Sequence, residues 1–365
     1  MIDSHFWRGK RVLLTGHTGF KGSWLALWLS DLGAEVHGLA LAPETSPSLY
    51  TLLHGDTSRA SDLCDLCDLC DLRDRARVRA CVAAANPHIV FHLAAQPLVR
   101  QGYRDPVGTF EINAQGTAHL LDALRDAGDV KSIVVITTDK VYENAETGKA
   151  FVETDPLGGH DPYSASKAAA EIVVASYRAS FFAEKSIGLA TARAGNVIGG
   201  GDWADDRLIP DAVRAWSSGQ PVQVRRPGAV RPWQHVLEPL AGYITIAQAL
   251  WHKPHSFTAL NFGPDHAGAA TVADVLSISA KSFGEGKVEL GDGHEGPHEA
   301  GYLMLDSTLA ARALGYHPVW NLQETISRTM NWYQQQLKGA SALTLCRADI
   351  ADYCAALSTR LDLAV

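Results

Sequence analysis

The stretch "VLLTGHTGFKGSWLALWLSDLG", Val12 to Gly33, constrains the fold of this chain more than any other. A short apolar run empties into a turn with Gly16, Gly19 and Gly22 each three apart. Leu25, Trp28, Leu29 and Leu32 then recur at helical spacing, and Gly33 marks the stop. Glycines at a strand-to-helix junction have a specific use. One permits the tight turn, another lets backbone approach a pyrophosphate, and a third lets helix and strand pack closely. The helix N-terminus adds free N–H groups and a dipole that favours an anion. Glycines often only form turns, but directly after a first core strand they point to dinucleotide binding.

The rest of the chain keeps the same alternation. "AEVHGLAL", "HIVFHLAA", "KSIVVITTD" and "IGLATARAGNVIG" read as strands. "RARVRACVAAANP", "PVGTFEINAQGTAHLLDALRDAG" and "DPYSASKAAAEIVVASYRASFF" read as helices between them. Near-continuous apolar strands alternating with helices imply a parallel sheet covered on both faces. The expected fold class is α/β: a doubly wound parallel sheet with a smaller C-terminal α/β substrate domain. At 365 residues the chain suits such a pairing better than one small core. After Gly199 glycine, proline and tryptophan become frequent, and elements look shorter. "TALNFG" reads as a late strand returning to the main sheet, and helices are expected near 271–283, 306–314 and 322–337. The expected division is 1–200, with 233–263 returning, for the dinucleotide domain, and 201–232 with 264–365 for the substrate domain.

A net charge of −8 with no basic block argues against a nucleic-acid or acidic-membrane partner. No window holds the roughly 18 apolar residues of a membrane helix, and "MIDSHFWRGKRVLL" lacks a signal-peptide core, so the expected setting is cytoplasmic. Six cysteines do not form a secreted disulfide framework. Cys64, Cys67 and Cys70 stand in a C-x-x-C-x-x-C run, but the fourth cysteine and proline of an iron–sulfur motif are missing. The run reads as a "DLC" triplet repeat in a surface turn, with no metal site.

Chemistry concentrates at two places. "VVITTDKVYEN" ends a buried strand in Thr138, Asp139 and Lys140, a hydroxyl, a carboxylate and an ammonium in succession. "DPYSASKAAAE" puts Tyr163 and Lys167 four apart, on one helix face. An ammonium beside a phenol lowers the phenol's pKa and makes it a usable proton acceptor. Exposed helices carry such pairs routinely, but a nucleotide turn upstream and a reactive strand end make chance a poor account of this one.

Together these motifs resemble the extended short-chain dehydrogenase/reductase family, and within it the nucleoside-diphosphate-sugar 4,6-dehydratases. The resemblance covers nearly the whole chain, through "TGHTGFKGSWL", "IVFHLAAQPLVR", "DPYSASK", "RAGNVIGGGDWADDRLIPD", "RPWQHVLEPLAGY" and "PHEAGYLMLD". It implies NAD as cofactor, held by Gly16, His17, Thr18, Gly19, Phe20, Lys21, Gly22, Asp71, Leu72, Ala94, Ala95, Asn113, Tyr163 and Lys167. The "DLC" repeat offers Asp62, Asp65 and Asp68 as register-shifted competitors of Asp71. No acid stands at the end of the second strand to hold ribose hydroxyls, and His17 and Lys21 leave NADP as the alternative.

The resemblance also implies roles. Tyr163 takes the C4 hydroxyl proton, Lys167 tunes Tyr163 and binds the nicotinamide ribose, and Thr138 bonds the C4 oxygen. Lys140 is the base at C5 and Asp139 the acid at the C6 hydroxyl. An ammonium cannot act as a base, so Lys140 must shed its proton while Asp139 holds one, and a proton shared between them is a coherent reading. Lysine at this place, where dTDP- and GDP-sugar relatives carry glutamate, points to CDP-glucose as substrate. Arg207 and Arg231 suit a diphosphate as fork-shaped donors, although arginines more often form surface ion pairs. Gln96 and Arg100 follow a strand at its carboxyl end, where ligands sit. Asn196, His298 and Tyr302 resemble substrate contacts, and Trp203 and Trp233 are candidates for stacking on the base.

The alternatives are a dehydratase for another sugar nucleotide, a 4-epimerase or decarboxylase, and an idle NAD-binding protein. The epimerase needs no acid and base behind the strand end, and the idle protein does not need its triplet intact. The helices at 107–127 and 161–183 are expected to pair across a two-fold, giving a homo-oligomer, dimer or tetramer. The final "LTLCRADIADYCAALS" has helical spacing.

Overall fold

The computed structural model describes residues 2–55, 66–264, 269–284, 286–291 and 300–362. Seven parallel strands form the main sheet: β1 (Arg11–Thr15), β2 (Glu35–Ala40), β3 (Leu66–Leu69), β4 (Ile89–His92), β5 (Ser132–Ile136), β6 (Gly188–Ala194) and β7 (Ala259–Phe262). Their spatial order is β7-β6-β5-β4-β1-β2-β3. The order reverses between β1 and β4, and the crevice at such a reversal is where a ligand lies.

Every residue of β4, β5, β6 and β7 is buried, as a sheet covered on both faces requires. Alternate side chains enter different cores. Val12, Leu14, Ile89, Phe91 and Val134 belong to one apolar cluster, and Leu13, Val90, Ile133 and Val135 to the other. The first cluster runs on to Trp332, Tyr333 and Tyr353, so the C-terminal region packs directly on one face of the sheet.

The helix Phe20–Asp31 follows β1 and ends at Leu32, with Gly33 beyond it at φ +86°. Arg75–Ala85 precedes β4. The expected long helix after β4 is interrupted: Pro106–Phe110 and Gly116–Leu124 are joined by a π-helical turn, Glu111–Gln115. Pro162–Tyr177 starts at Asp161, whose carboxylate accepts from the Ser164 N–H at 3.0 Å and the Ser164 hydroxyl at 2.5 Å. Pro162 stands at the first helical position, where its missing N–H costs nothing.

Two sequence expectations are corrected. Leu66–Leu69, inside the supposed "DLC" surface turn, is the edge strand β3, paired with β2 from His37↔Leu66 to Ala40↔Leu69. Its short Leu-Cys-Asp-Leu run reads as a repeat because one edge is unpaired and polar residues are tolerated there. Beyond Gly199 the strands are short, and so is the helix Thr308–Leu314 with 7 residues, but other helices are long: Leu237–His252 and Leu322–Leu337 have 16 residues each, and Ala342–Asp362 has 21. Among the described residues no helix is long and apolar enough to cross a membrane.

Candidate active site

Gly16 closes β1 at φ +77°, where a Cβ would lie 2.7 Å from the Ala94 nitrogen just beyond β4. A Cβ on Gly22 would fall 2.0 Å from the Gly16 carbonyl oxygen, so only glycine allows this contact of helix and turn. Gly19 caps the helix without a side-chain hydrogen bond, which leaves the first-turn N–H groups to a ligand. Beneath the turn, buried His92 bonds the Thr15 hydroxyl at 2.7 Å and the Thr117 hydroxyl at 3.0 Å. Burial pushes that imidazole down to about 3, so it stays neutral. Thr15 also accepts from the Ala94 N–H at 3.1 Å and so ties the ends of β1 and β4 together.

One cleft of about 910 Å³ runs from this turn into the C-terminal region. Gly16, Thr18, Gly19, Phe20, Lys21 and Gly22 line it, with Asp71, Leu72, Ala94, Ala95 and Gln96. So do Arg100, Thr138, Asp139, Lys140, Tyr163, Lys167, Asn196, Arg207 and Arg231, with Trp203 and Trp233. Of the competing aspartates Asp71 is the one on the cleft; Asp68 pairs instead with Arg77 at 3.1 Å, and Asp62 and Asp65 lie outside the described residues. Asp71 is itself engaged by Arg73 at 2.6 Å, which holds its carboxyl below the usual range.

Three expected residues stand elsewhere among the described ones. The His17 ring is buried against Gly38 and Tyr50 and does not line the cleft. Asn113, in the π-turn, acts through others: its amide donates to the Ser166 hydroxyl at 2.9 Å and the Gln96 carbonyl at 3.1 Å, and accepts from the Gln96 N–H at 2.8 Å. Tyr302 bridges Val230 and accepts from the Asn144 amide at 2.9 Å through its carbonyl, off the cleft. His298 lies outside the described residues.

The strand-end triplet sits in a one-turn 3-10 helix, Asp139–Val141, capped by Thr138. The Thr138 hydroxyl donates to Asp139 Oδ1 at 2.9 Å and shares the cleft with the Tyr163 phenol. Asp139 is buried, and its Oδ2 has no partner among the described residues. Lys140 is half-buried on the same cleft. Lys167 donates to the Ile136 carbonyl at 3.1 Å.

The expected effect of Lys167 on Tyr163 is not what governs the phenol. Burial pushes Tyr163 up to about 12; the Thr138 hydroxyl and the Arg207 charge pull the other way, and Lys167 is not among its main influences. Burial brings Lys167 itself down to about 8, and Lys21 likewise, with Arg207 adding to the effect on Lys21.

The far end of the cleft is basic. Arg100 bonds Asp206 at 3.1 Å and Arg207 lies 3.7 Å from Asp202. The Nε atoms of Arg100 and Arg207 are buried without partners among the described residues. Arg231 is buried and donates to the Val230 carbonyl at 2.9 Å. Sequence reasoning missed Arg225 and Arg226, which also line the cleft. The paired arginines before Pro227 were the available signal.

A reversed-order parallel sheet, a glycine turn at the reversal, and a tyrosine–lysine helix facing a strand end define an extended short-chain dehydrogenase/reductase. Within that class the chain belongs to the GDP-mannose 4,6 dehydratase family, whose model matches residues 13–329. It is 46% identical over 362 residues to the CDP-glucose 4,6-dehydratase of Salmonella typhimurium, covering 98% of this chain and 99% of that one. It is 30% identical to a dTDP-glucose 4,6-dehydratase of Streptomyces griseus, over 67% of this chain and 71% of the relative. Among solved structures, MoeE5 in complex with UDP-glucose and NAD superposes with TM-score 0.74 at 26% identity, covering 89% of this chain and 99% of that one. A UDP-glucose-4-epimerase from Stenotrophomonas maltophila, with bound NAD and formylated UDP-arabinopyranose, gives TM-score 0.77 over 91% and 100% of the two chains; at 22% identity the likeness is one of fold.

Proposed function

We propose that this protein is an NAD-dependent CDP-glucose 4,6-dehydratase that converts CDP-glucose to CDP-4-keto-6-deoxyglucose. The observation that carries this reading is the Thr138–Asp139–Lys140 turn beside Tyr163 in one cleft, with Asp139 Oδ2 unpartnered. Identity of 46% along essentially the whole length to a CDP-glucose 4,6-dehydratase supports the choice of base and sugar.

The turn at Gly16, Gly19 and Gly22 fits a dinucleotide, because a side chain at Gly16 or Gly22 would meet backbone and break the close strand–turn–helix packing that sets the helix N-terminus at the cleft. In this reading Gly16, Thr18 to Gly22, Asp71, Leu72, Ala94, Ala95 and Lys167 hold the cofactor. NAD, when bound, accepts hydride from the sugar C4 and returns it to C6. Tyr163 takes the proton from the C4 hydroxyl, and Thr138 orients that oxygen. The resulting ketone acidifies the C5 proton, which Lys140 removes. Asp139 gives a proton to the departing C6 hydroxyl, and water leaves. Arg207, Arg231, Asn196, Gln96 and Arg100 bind the sugar diphosphate, with residues 201–232 and 264–365 as the substrate side.

A cytoplasmic setting is part of the proposal, in keeping with the free thiols of Cys70, Cys81, Cys346 and Cys354. So is a homo-oligomer formed through the helices that expose Val107, Phe110 and Ile172. The testing experiment incubates the purified protein with NAD and CDP-glucose, and in parallel with the dTDP- and GDP-sugars. A 4-keto-6-deoxy product formed best from CDP-glucose is expected. Equal turnover of another nucleotide overturns the choice of base, and the absence of a keto product from any of them overturns the dehydratase.

A further inference from the structure

Glu171 lies one helical turn beyond Lys167 and two beyond Tyr163, on the same face of Pro162–Tyr177. It pairs with Arg193 of β6, and both side chains are 4% exposed. Arg193 Nε donates to Glu171 Oε1 at 2.9 Å and Nη2 to Oε2 at 2.8 Å, a two-pronged contact. The Thr137 hydroxyl donates to Oε1 at 2.5 Å and the Thr191 hydroxyl to Oε2 at 2.8 Å. On its other side Arg193 Nη1 donates to the Tyr142 hydroxyl at 2.8 Å and the Glu153 carbonyl at 3.0 Å. Thr137 immediately precedes the triplet 138–140, and Tyr142 comes two residues after its end. The pair therefore grips the reactive turn at both flanks, while its carboxylate rides on the helix that carries Tyr163 and Lys167.

We propose that Glu171 and Arg193 are positioning residues for the dehydratase reaction: a buried strut that fixes Thr138, Asp139 and Lys140 against Tyr163 and Lys167. The inference rests on the function proposed above. Apolar side chains of similar volume fill a core at least as stably as a buried ion pair does, so stability alone is a weak reason for this pair. Register between two reactive segments is a stronger one, because small misplacements of reacting groups cost large factors in rate.

The strut also sets charge. Lys167 faces Glu171 on its own helix, Lys21 from the glycine turn and His92 from β4. Glu171 faces Arg193 from β6 and Arg178 from the end of its own helix, and Tyr142 and Glu153 lie against Arg193. Of these, the Glu171 carboxylate favours the Lys167 ammonium. Neutralising it leaves Arg193 uncompensated and makes Lys167 shed its proton at lower pH.

The test uses the full chain with NAD and CDP-glucose, measuring kcat, KM, pH profile and thermal melting for Thr137→Val and Glu171→Gln. Thr137→Val removes one flank contact and keeps the shape; kcat is expected to fall about 3- to 10-fold with KM within about twofold. Glu171→Gln is expected to lose about tenfold or more in kcat and to shift the alkaline limb of kcat/KM to lower pH. Two results overturn the inference: kcat of Thr137→Val within twofold of the parent, or losses that vanish at an assay temperature well below each variant's melting point. If Glu171→Gln does not fold, Thr137→Val decides alone. A parent protein that turns over no sugar nucleotide strikes down the functional reading, and this inference with it. An active parent with unaffected variants strikes down only the strut.

Discussion

Tyr163 sits at the junction of burial and chemistry. Burial holds its phenol at about 12, so the Thr138 hydroxyl and the positive charge of Arg207 must favour the anion for it to act as a base. Tyr163→Phe should therefore lower kcat about 10²- to 10⁴-fold with little change in KM, as measured by steady-state kinetics. Lys167 has its ammonium value lowered to about 8 by burial, so the charge is present below that pH and lost as pH rises through it. The kcat/KM profile should fall on the alkaline side of about pH 8, and Lys167→Arg should move that limb upward; an unmoved limb would assign it to Lys21, which is lowered to the same range. In the proposed reaction Lys140 acts in the second half alone. Lys140→Met should yield a 4-keto sugar nucleotide that retains its C6 hydroxyl, detected by mass spectrometry, and normal deoxy product from this variant would remove Lys140 from the mechanism. At this scale the triplet and the Tyr163/Lys167 pair were legible because their spacing is local. The rise of the phenol was not, because burial is a tertiary property, and Arg225 and Arg226 reach the cleft only through folding.

The elements that carry these groups depend on a few local devices. The helix of Tyr163 begins at Asp161, which accepts twice from Ser164. Asp161→Ala should destabilise the protein by about 1 kcal/mol in denaturant titration, and a loss confined to activity would show that the cap serves the site rather than the helix. Gly16 and Gly22 were readable as a dinucleotide turn because glycine spacing after an apolar strand has a mechanical meaning. The edge strand β3 was not, since four residues with one free edge leave almost no pattern. The π-turn at Glu111–Gln115 was hidden for a different reason: its apolar spacing continues that of the flanking helices, and only the bonds of Asn113 to Gln96 and Ser166 reveal the extra residue's use.

Across the whole molecule, Glu238 joins three parts of the fold. Its buried carboxylate accepts from the Val319 and Trp320 N–H groups, at 3.0 and 2.8 Å, and from the Tyr353 hydroxyl at 2.8 Å. Burial outweighs these donors and raises it from 4.5 to about 7. The folded protein thus holds a proton that the unfolded chain releases between those values, and stability falls as pH rises from about 4.5 to about 7. Glu238→Gln should flatten that slope in melting measured across pH, by on the order of 2–3 kcal/mol between its ends. Transfer of hydride from C4 to C6 in the proposed reaction is also a property of the whole molecule, because it needs the turn, the strand end, the helix and the basic cleft at once. Its most direct measurement uses CDP-glucose carrying deuterium at C4, incubated with the protein and NAD, and locates the label in the product by NMR. The account predicts deuterium at C6 of a 4-keto-6-deoxy sugar, carried from C4 within one turnover. Label remaining at C4 of an inverted sugar, or a 4-keto product without deuterium at C6, would contradict it.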